Sequence, residues 1–129
     1  MIALVSTGAG TFSVDLESEE IAPADPFEPV PAPSLNLPRV LTAAAAGSTV
    51  VAVVDARPPM LVSHDAGTTW RESGRGLPAG AAVAVSDSNP DLLLYAARNR
   101  LYLSRNGGVF WTALAVELPE IEALALRES

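Results

Sequence analysis

Two stretches of this chain are copies of one another, and a repeat of this length limits the fold more than any other feature of the sequence. The first runs Thr49-Val-Val-Ala-Val-Val-Asp, then Met60-Leu-Val-Ser-His-Asp-Ala-Gly-Thr-Thr-Trp70. The second runs Leu92-Leu-Leu-Tyr-Ala-Ala-Arg, then Leu101-Tyr-Leu-Ser-Arg-Asn-Gly-Gly-Val-Phe-Trp111, with Ser63 and Ser104 41 positions apart. In both, short apolar runs are separated by turn residues, the pattern of β-strands rather than helices.

The shared pattern is Ser-x-Asp-x-Gly-x-Thr-Trp, complete as Ser63, Asp65, Gly67, Thr69 and Trp70. The second copy keeps Ser104, Gly108 and Trp111, with Asn106 in place of the acid and Phe110 in place of the Thr. Each residue type has a physical use: a short Asp or Asn side chain accepts hydrogen bonds from turn amides, Gly takes a positive φ, and Trp packs between sheets. The pattern resembles the Asp-box, or bacterial neuraminidase repeat, of β-propellers, and is similar to the non-enzymatic repeats of sortilin-like and photosystem-assembly-factor-like propellers. The resemblance implies that each box joins the third and fourth strands of a four-stranded blade, away from the ligand-binding face. It makes Ser63, Asp65, Gly67, Thr69, Trp70, Ser104, Asn106, Gly108 and Trp111 structural.

A weaker third copy emerges when Phe12-Ser13-Val14-Asp15 is laid on Val62-Ser63-His64-Asp65. The chain then divides into three all-β units. Blade 1 combines 121–126 with 2–22, a Pro-rich connector covers 23–39, blade 2 covers 40–78 and blade 3 covers 79–119. Expected strands are 40–46, 49–55, 60–64 and 69–73 in blade 2, and 82–87, 92–97, 100–104 and 110–116 in blade 3. Three blades fall below the usual number of about four to eight. The expected assembly is therefore a homodimer that completes a six-bladed propeller, with the blade of mixed N- and C-terminal strands shared across the chain boundary. A monomeric incomplete propeller or a compact sandwich is the alternative.

Six of the residues from 23 to 38 are Pro, a density that forbids a central strand and favours extended polyproline II. Phe27 and Val30 would be its anchors if it bound a partner, but a connector lying against its own or a neighbouring subunit is the favoured reading.

Composition removes several functions. Fifteen acids against eight Arg give a formal charge of -7, which repels phosphate backbones and excludes nucleic acid as a partner. Residues 1–38 hold six acids and no base. The chain has no Cys, so disulfides and thiol chemistry are excluded. No stretch reaches the roughly 18 apolar residues of a membrane span. The N-terminus lacks a basic start and apolar core, so a cytoplasmic location is expected, with a removed leader left open.

The chemistry-bearing residues are few. His64, the only His, occupies a variable position of the box and is expected to be an exposed bystander. The clusters Glu17, Glu19, Glu20 and Glu117, Glu120, Glu122 read as solvated charge rather than a glycosidase pair. Tyr95 and Tyr102 lie in strand patterns, and no nucleotide, calcium or other cofactor motif is present. A binding face would be carried by Asp55, Arg57, Arg75, Arg98, Asn99 and Arg100, in the loops joining second to third strands and consecutive blades. Arg suits carboxylate or phosphate recognition there. The function expected is a non-enzymatic binding or assembly scaffold for an unidentified protein or glycan. An oligomeric lectin-like propeller and a degenerate glycosidase- or sialidase-like fragment are the alternatives.

Overall fold

The computed structural model describes residues 1–128 and is all-β. Its strands are β1 (Ile2–Thr7), β2 (Gly10–Asp15), β3 (Ile21–Pro23), β4 (Val40–Ala46), β5 (Thr49–Val54), β6 (Met60–Ser63), β7 (Arg71–Ser73), β8 (Ala82–Val85), β9 (Leu93–Ala97), β10 (Arg100–Ser104), β11 (Thr112–Ala113) and β12 (Ile121–Arg127). They form three four-stranded antiparallel sheets, in the orders β4-β5-β6-β7, β8-β9-β10-β11 and β12-β1-β2-β3. The first two are plain meanders, and in the third a β1-β2-β3 meander is completed by β12, as expected for propeller-like blades. No helix among the described residues is long and apolar enough to cross a membrane.

The third sheet joins the two ends of the chain. β12 pairs with β1 through Ile2↔Arg127, Leu4↔Ala125 and Ser6↔Ala123. This pairing lies within one chain, which corrects the expectation of a sheet shared across a chain boundary. Local geometry explains it: a seven-residue link, 114–120, carries the chain from β11 to β12, and the amides of Leu118 and Ile121 bond to Asn99 and Arg98 carbonyls on the way.

The middle sheet is buried on both faces, which is why β9 reads Leu-Leu-Tyr-Ala-Ala without a polar residue. Leu93, Tyr95 and Ala97 pack with Val83 against Val51, Val53, Met60 and Val62 of the β4–β7 sheet. Leu94 and Ala96, with Leu101 and Leu103, pack instead against Ala3, Val5, Val14 and Leu16. Each fully buried Leu or Val contributes on the order of 1.5–3 kcal/mol, so these two interfaces hold the sheets together.

The sheets are arranged as an arc. The first strand of the middle sheet, β8, packs on both β4 and β12, while no comparable packing joins β4 to β12. Small residues of the first strands, Ala43–Ala45, Ala82, Ala84, Ala123 and Ala125, line the cleft between them and permit these strands to converge. The links between adjacent sheets are short, residues 74–81 and 114–120. The link from β3 to β4 spans residues 24–39, because it must cross from one end of the arc to the other. Its Pro29, Val30, Pro31 and Pro33 line a cleft of about 530 Å³ together with β4, β8 and β12. Phe27 is half-buried, whereas Val30 is 78% exposed.

Two expectations shift. Outer strands are shorter than the sequence implied, because the amides of Thr69 and Phe110 bond to Asp65 and Asn106 side chains rather than to a ladder. In the third copy, Asp15 pairs with Ile2 at the end of its strand, the position held by Ser63 opposite Val50 and by Ser104 opposite Leu93. The sequence alignment on Ser13 was therefore two residues out of register.

Candidate functional site

The two repeated turns are built alike. Ser63 Oγ accepts the Gly67 amide at 2.8 Å and donates to Asp65 Oδ1 at 2.7 Å. The Asp65 carboxylate also accepts the Thr69 amide at 2.8 Å and the Thr69 hydroxyl at 2.6 Å. These bonds, from Thr69 first and then Ser63, hold its pKa down at about 2. A carboxylate so committed is an anion at ordinary pH and cannot serve as a general acid. In the second turn Ser104 Oγ accepts the Gly108 amide at 2.9 Å, and Asn106 Oδ1 accepts the Phe110 amide at 3.0 Å. Gly67 and Gly108 share a φ of +92°, a conformation that side chains with a Cβ rarely adopt. Asn therefore replaces Asp without changing the turn, since both offer the same acceptor oxygen.

The second turn also fastens two sheets. Trp111 Nε1 donates to Ser73 Oγ at 2.9 Å, and Ser73 Oγ donates to the Gly108 carbonyl at 2.6 Å. The indole meets Tyr95 edge-on, with ring centroids 6.0 Å apart. His64 adds a second link, its Nε2 lying 3.2 Å from the Gly107 carbonyl and its Nδ1 3.2 Å from Thr49 Oγ1. A carbonyl only accepts, so Nε2 carries a hydrogen, and in the neutral ring Nδ1 accepts from Thr49. His64 is exposed, as expected, but it is a bridge and not a bystander. Its variable place in the repeat gave no hint of this, because its partner is 43 residues away.

Between β7 and this turn runs a groove of about 290 Å³, lined by His64, Arg71, Glu72, Ser73, Arg75 and Val109 among others. Arg75 lies 3.7 Å from Glu72. Sequence reasoning missed the groove because its walls come from different blades.

The loops at the opposite end of the sheets carry the expected binding-face residues. Asp55 and Arg57 lie in the β5–β6 loop, where Arg57 donates to the Leu77 carbonyl at 3.3 Å. Arg98 and Asn99 form the β9–β10 turn, Arg98 with a φ of +56°. Arg100 begins β10 and pairs with Glu117 at 3.1 Å. Of these six residues only Arg75 lines either of the two clefts described.

Two residues of the first acidic cluster reach the neighbouring sheet, whereas Glu20, Glu117, Glu120 and Glu122 are exposed. Glu19 accepts the Ala115 amide at 2.6 Å, and Glu17 lies 3.6 Å from Arg105. Burial pushes the Tyr95 phenol up to about 12, and its hydroxyl donates to the Pro78 carbonyl at 2.6 Å. It is a core residue held in place, not an open nucleophile.

No family model matches the chain, and no curated protein matches it. Among solved structures, a GH74 enzyme from Niastella koreensis, of a glycoside hydrolase family, aligns with a TM-score of 0.51 and 23% identity over 91% of this chain. The chain spans 18% of that enzyme's length. The likeness is one of fold, and it corrects the expectation of a non-enzymatic scaffold with no catalytic role. That expectation rested on the missing catalytic set, yet a site assembled from loops of several blades leaves no compact motif in any three of them. The structural role of the repeated turns is silent on what the remaining surface does.

Proposed function

We propose that this chain is a degenerate glycosidase-like propeller segment that acts on or holds carbohydrate. The observation that carries the reading is the alignment of 91% of the chain with part of a GH74 enzyme. The half-polar groove beside Val109 supports it, since saccharides are held by a mixture of apolar surface and hydrogen-bonding side chains. In this reading, two chains of three blades complete a six-bladed ring.

The test is incubation of the purified chain with a panel of soluble plant and bacterial polysaccharides. New reducing ends would be measured for hydrolysis, and retardation in polysaccharide-containing native gels for binding. Release of oligosaccharides, or retardation by one glycan class, is the expected result. Neither activity across the panel would overturn the proposal.

A further inference from the structure

The turn between third and fourth strands seats on the outer strand or exit of the neighbouring blade, and it does so twice within the chain. The Gly107–Trp111 turn of the middle blade seats on Ser73 of β7. The 16–20 turn of the blade containing both chain ends seats on the middle blade, through Glu19 to the Ala115 amide at the exit from β11 and Glu17 to Arg105 in the β10–β11 turn. The same relation has one unused donor and one unused receiver. The Ser63–Trp70 turn has no preceding blade, and the outer strand β3 has no following one.

We infer that a second copy of this chain joins the two, with the Trp70 turn of one copy seated on β3 of the other. The inference rests on the six-bladed ring of the preceding subsection and names its contact. Three observations select a second copy as the occupant. Trp111 has a hydrogen-bond acceptor and an aromatic neighbour, whereas the half-buried Trp70 has neither among the described residues. All three residues of β3 are exposed, with Ile21 at 41%. The charges also match: Arg71 follows Trp70, Glu20 and Asp25 flank β3, and none of the three has an ion-pair partner among the described residues. A two-fold axis repeats the contact at both ends of the arc, so the ring closes without leaving a free surface for a third chain. The 24–39 link, lying over the inner strands rather than between neighbouring outer strands, leaves the Trp70 turn and β3 uncovered for this contact.

The test is light scattering of the full chain over a dilution series, at low and high salt. The expected mass is twice 13.4 kDa, with tighter association at low salt. Trp70→Ala raises the dissociation constant by at least about a hundredfold, as for a central interface aromatic present twice. Ile21→Asp does the same from an exposed strand where folding is not at stake. Phe110→Ser is the control, because Phe110 is 74% exposed on a turn already seated within the chain, and its mass stays dimeric. A monomeric wild type overturns both the ring and the contact. A dimer that survives Trp70→Ala and Ile21→Asp overturns the contact and leaves the ring standing, as does one dissociated by Phe110→Ser alone.

Discussion

Ser73→Ala is the most informative single change in the core of the molecule. It removes one oxygen and creates no cavity, yet it breaks two bonds at once: the Trp111 indole loses its acceptor and the Gly108 carbonyl loses its donor. A buried polar group left without a partner costs about 1–3 kcal/mol. Gly108 is buried and should cost about 2 kcal/mol; Trp111 is half-buried and can recruit water, so about 1 kcal/mol is appropriate. The sum is about 3 kcal/mol. An unfolding entropy of roughly 2.1 cal/mol/K per residue gives about 0.27 kcal/mol per kelvin for a chain of this size, hence a fall in Tm of about 11 °C. Differential scanning calorimetry measures it directly. Trp111→Phe removes the same N–H from the other side, so the double variant should recover about 1 kcal/mol relative to the sum of the singles. A Tm change below about 3 °C, or strict additivity, would refute the inter-sheet bond as a stabilising link.

Gly80→Ala places a methyl group into the ring of Tyr95, which is fully buried and cannot withdraw; urea titration should register a loss of about 1–3 kcal/mol. Gly8→Ala meets nothing within 4 Å and should stay within about 0.5 kcal/mol of the parent. Tyr95→Phe strips the Pro78 carbonyl of its donor and should cost about 1–2 kcal/mol in the same titration. Asp65 has a folded pKa of about 2 against an ordinary 3.8, so its stabilisation is present above 3.8 and disappears as pH falls through about 2. Asp15, lowered by the Glu17 and Ser18 amides, acts in the same direction. Denaturant midpoints across that range should therefore fall with acid, and less steeply in Asp65→Asn, whose amide keeps an acceptor but does not titrate.

The strands and their grouping were legible because alternation and turn residues are local signals. The run at Leu93–Ala97 was legible as a strand, but that it is buried on both faces follows only from the two sheets packed against it. Register in the third unit was not legible, since without a Gly and Trp at fixed spacing nothing marks where β2 ends, and Asp15 took the position of Ser63 rather than that of Asp65. The site was harder still. Ser73 reads as an ordinary strand residue until Gly108 and Trp111 arrive from 35 and 38 positions away. The turns advertised their structural purpose so clearly that they also encouraged a non-catalytic reading of the whole chain, which the fold of the GH74 enzyme overturns. A motif that builds a turn carries no information about loops at the other end of the blade.

The architecture depends most on the sheet that ties the two ends of one chain together. Cross-strand NOEs between β1 and β12 test it, recorded on uniformly labelled protein and again with isotope filtering on a mixture of labelled and unlabelled chains. The account predicts contacts pairing Leu4 with Ala125 and Ala3 with Leu126 in the first spectrum and none in the filtered one. Absence of these contacts, or their presence between chains, would contradict the three-blade arc.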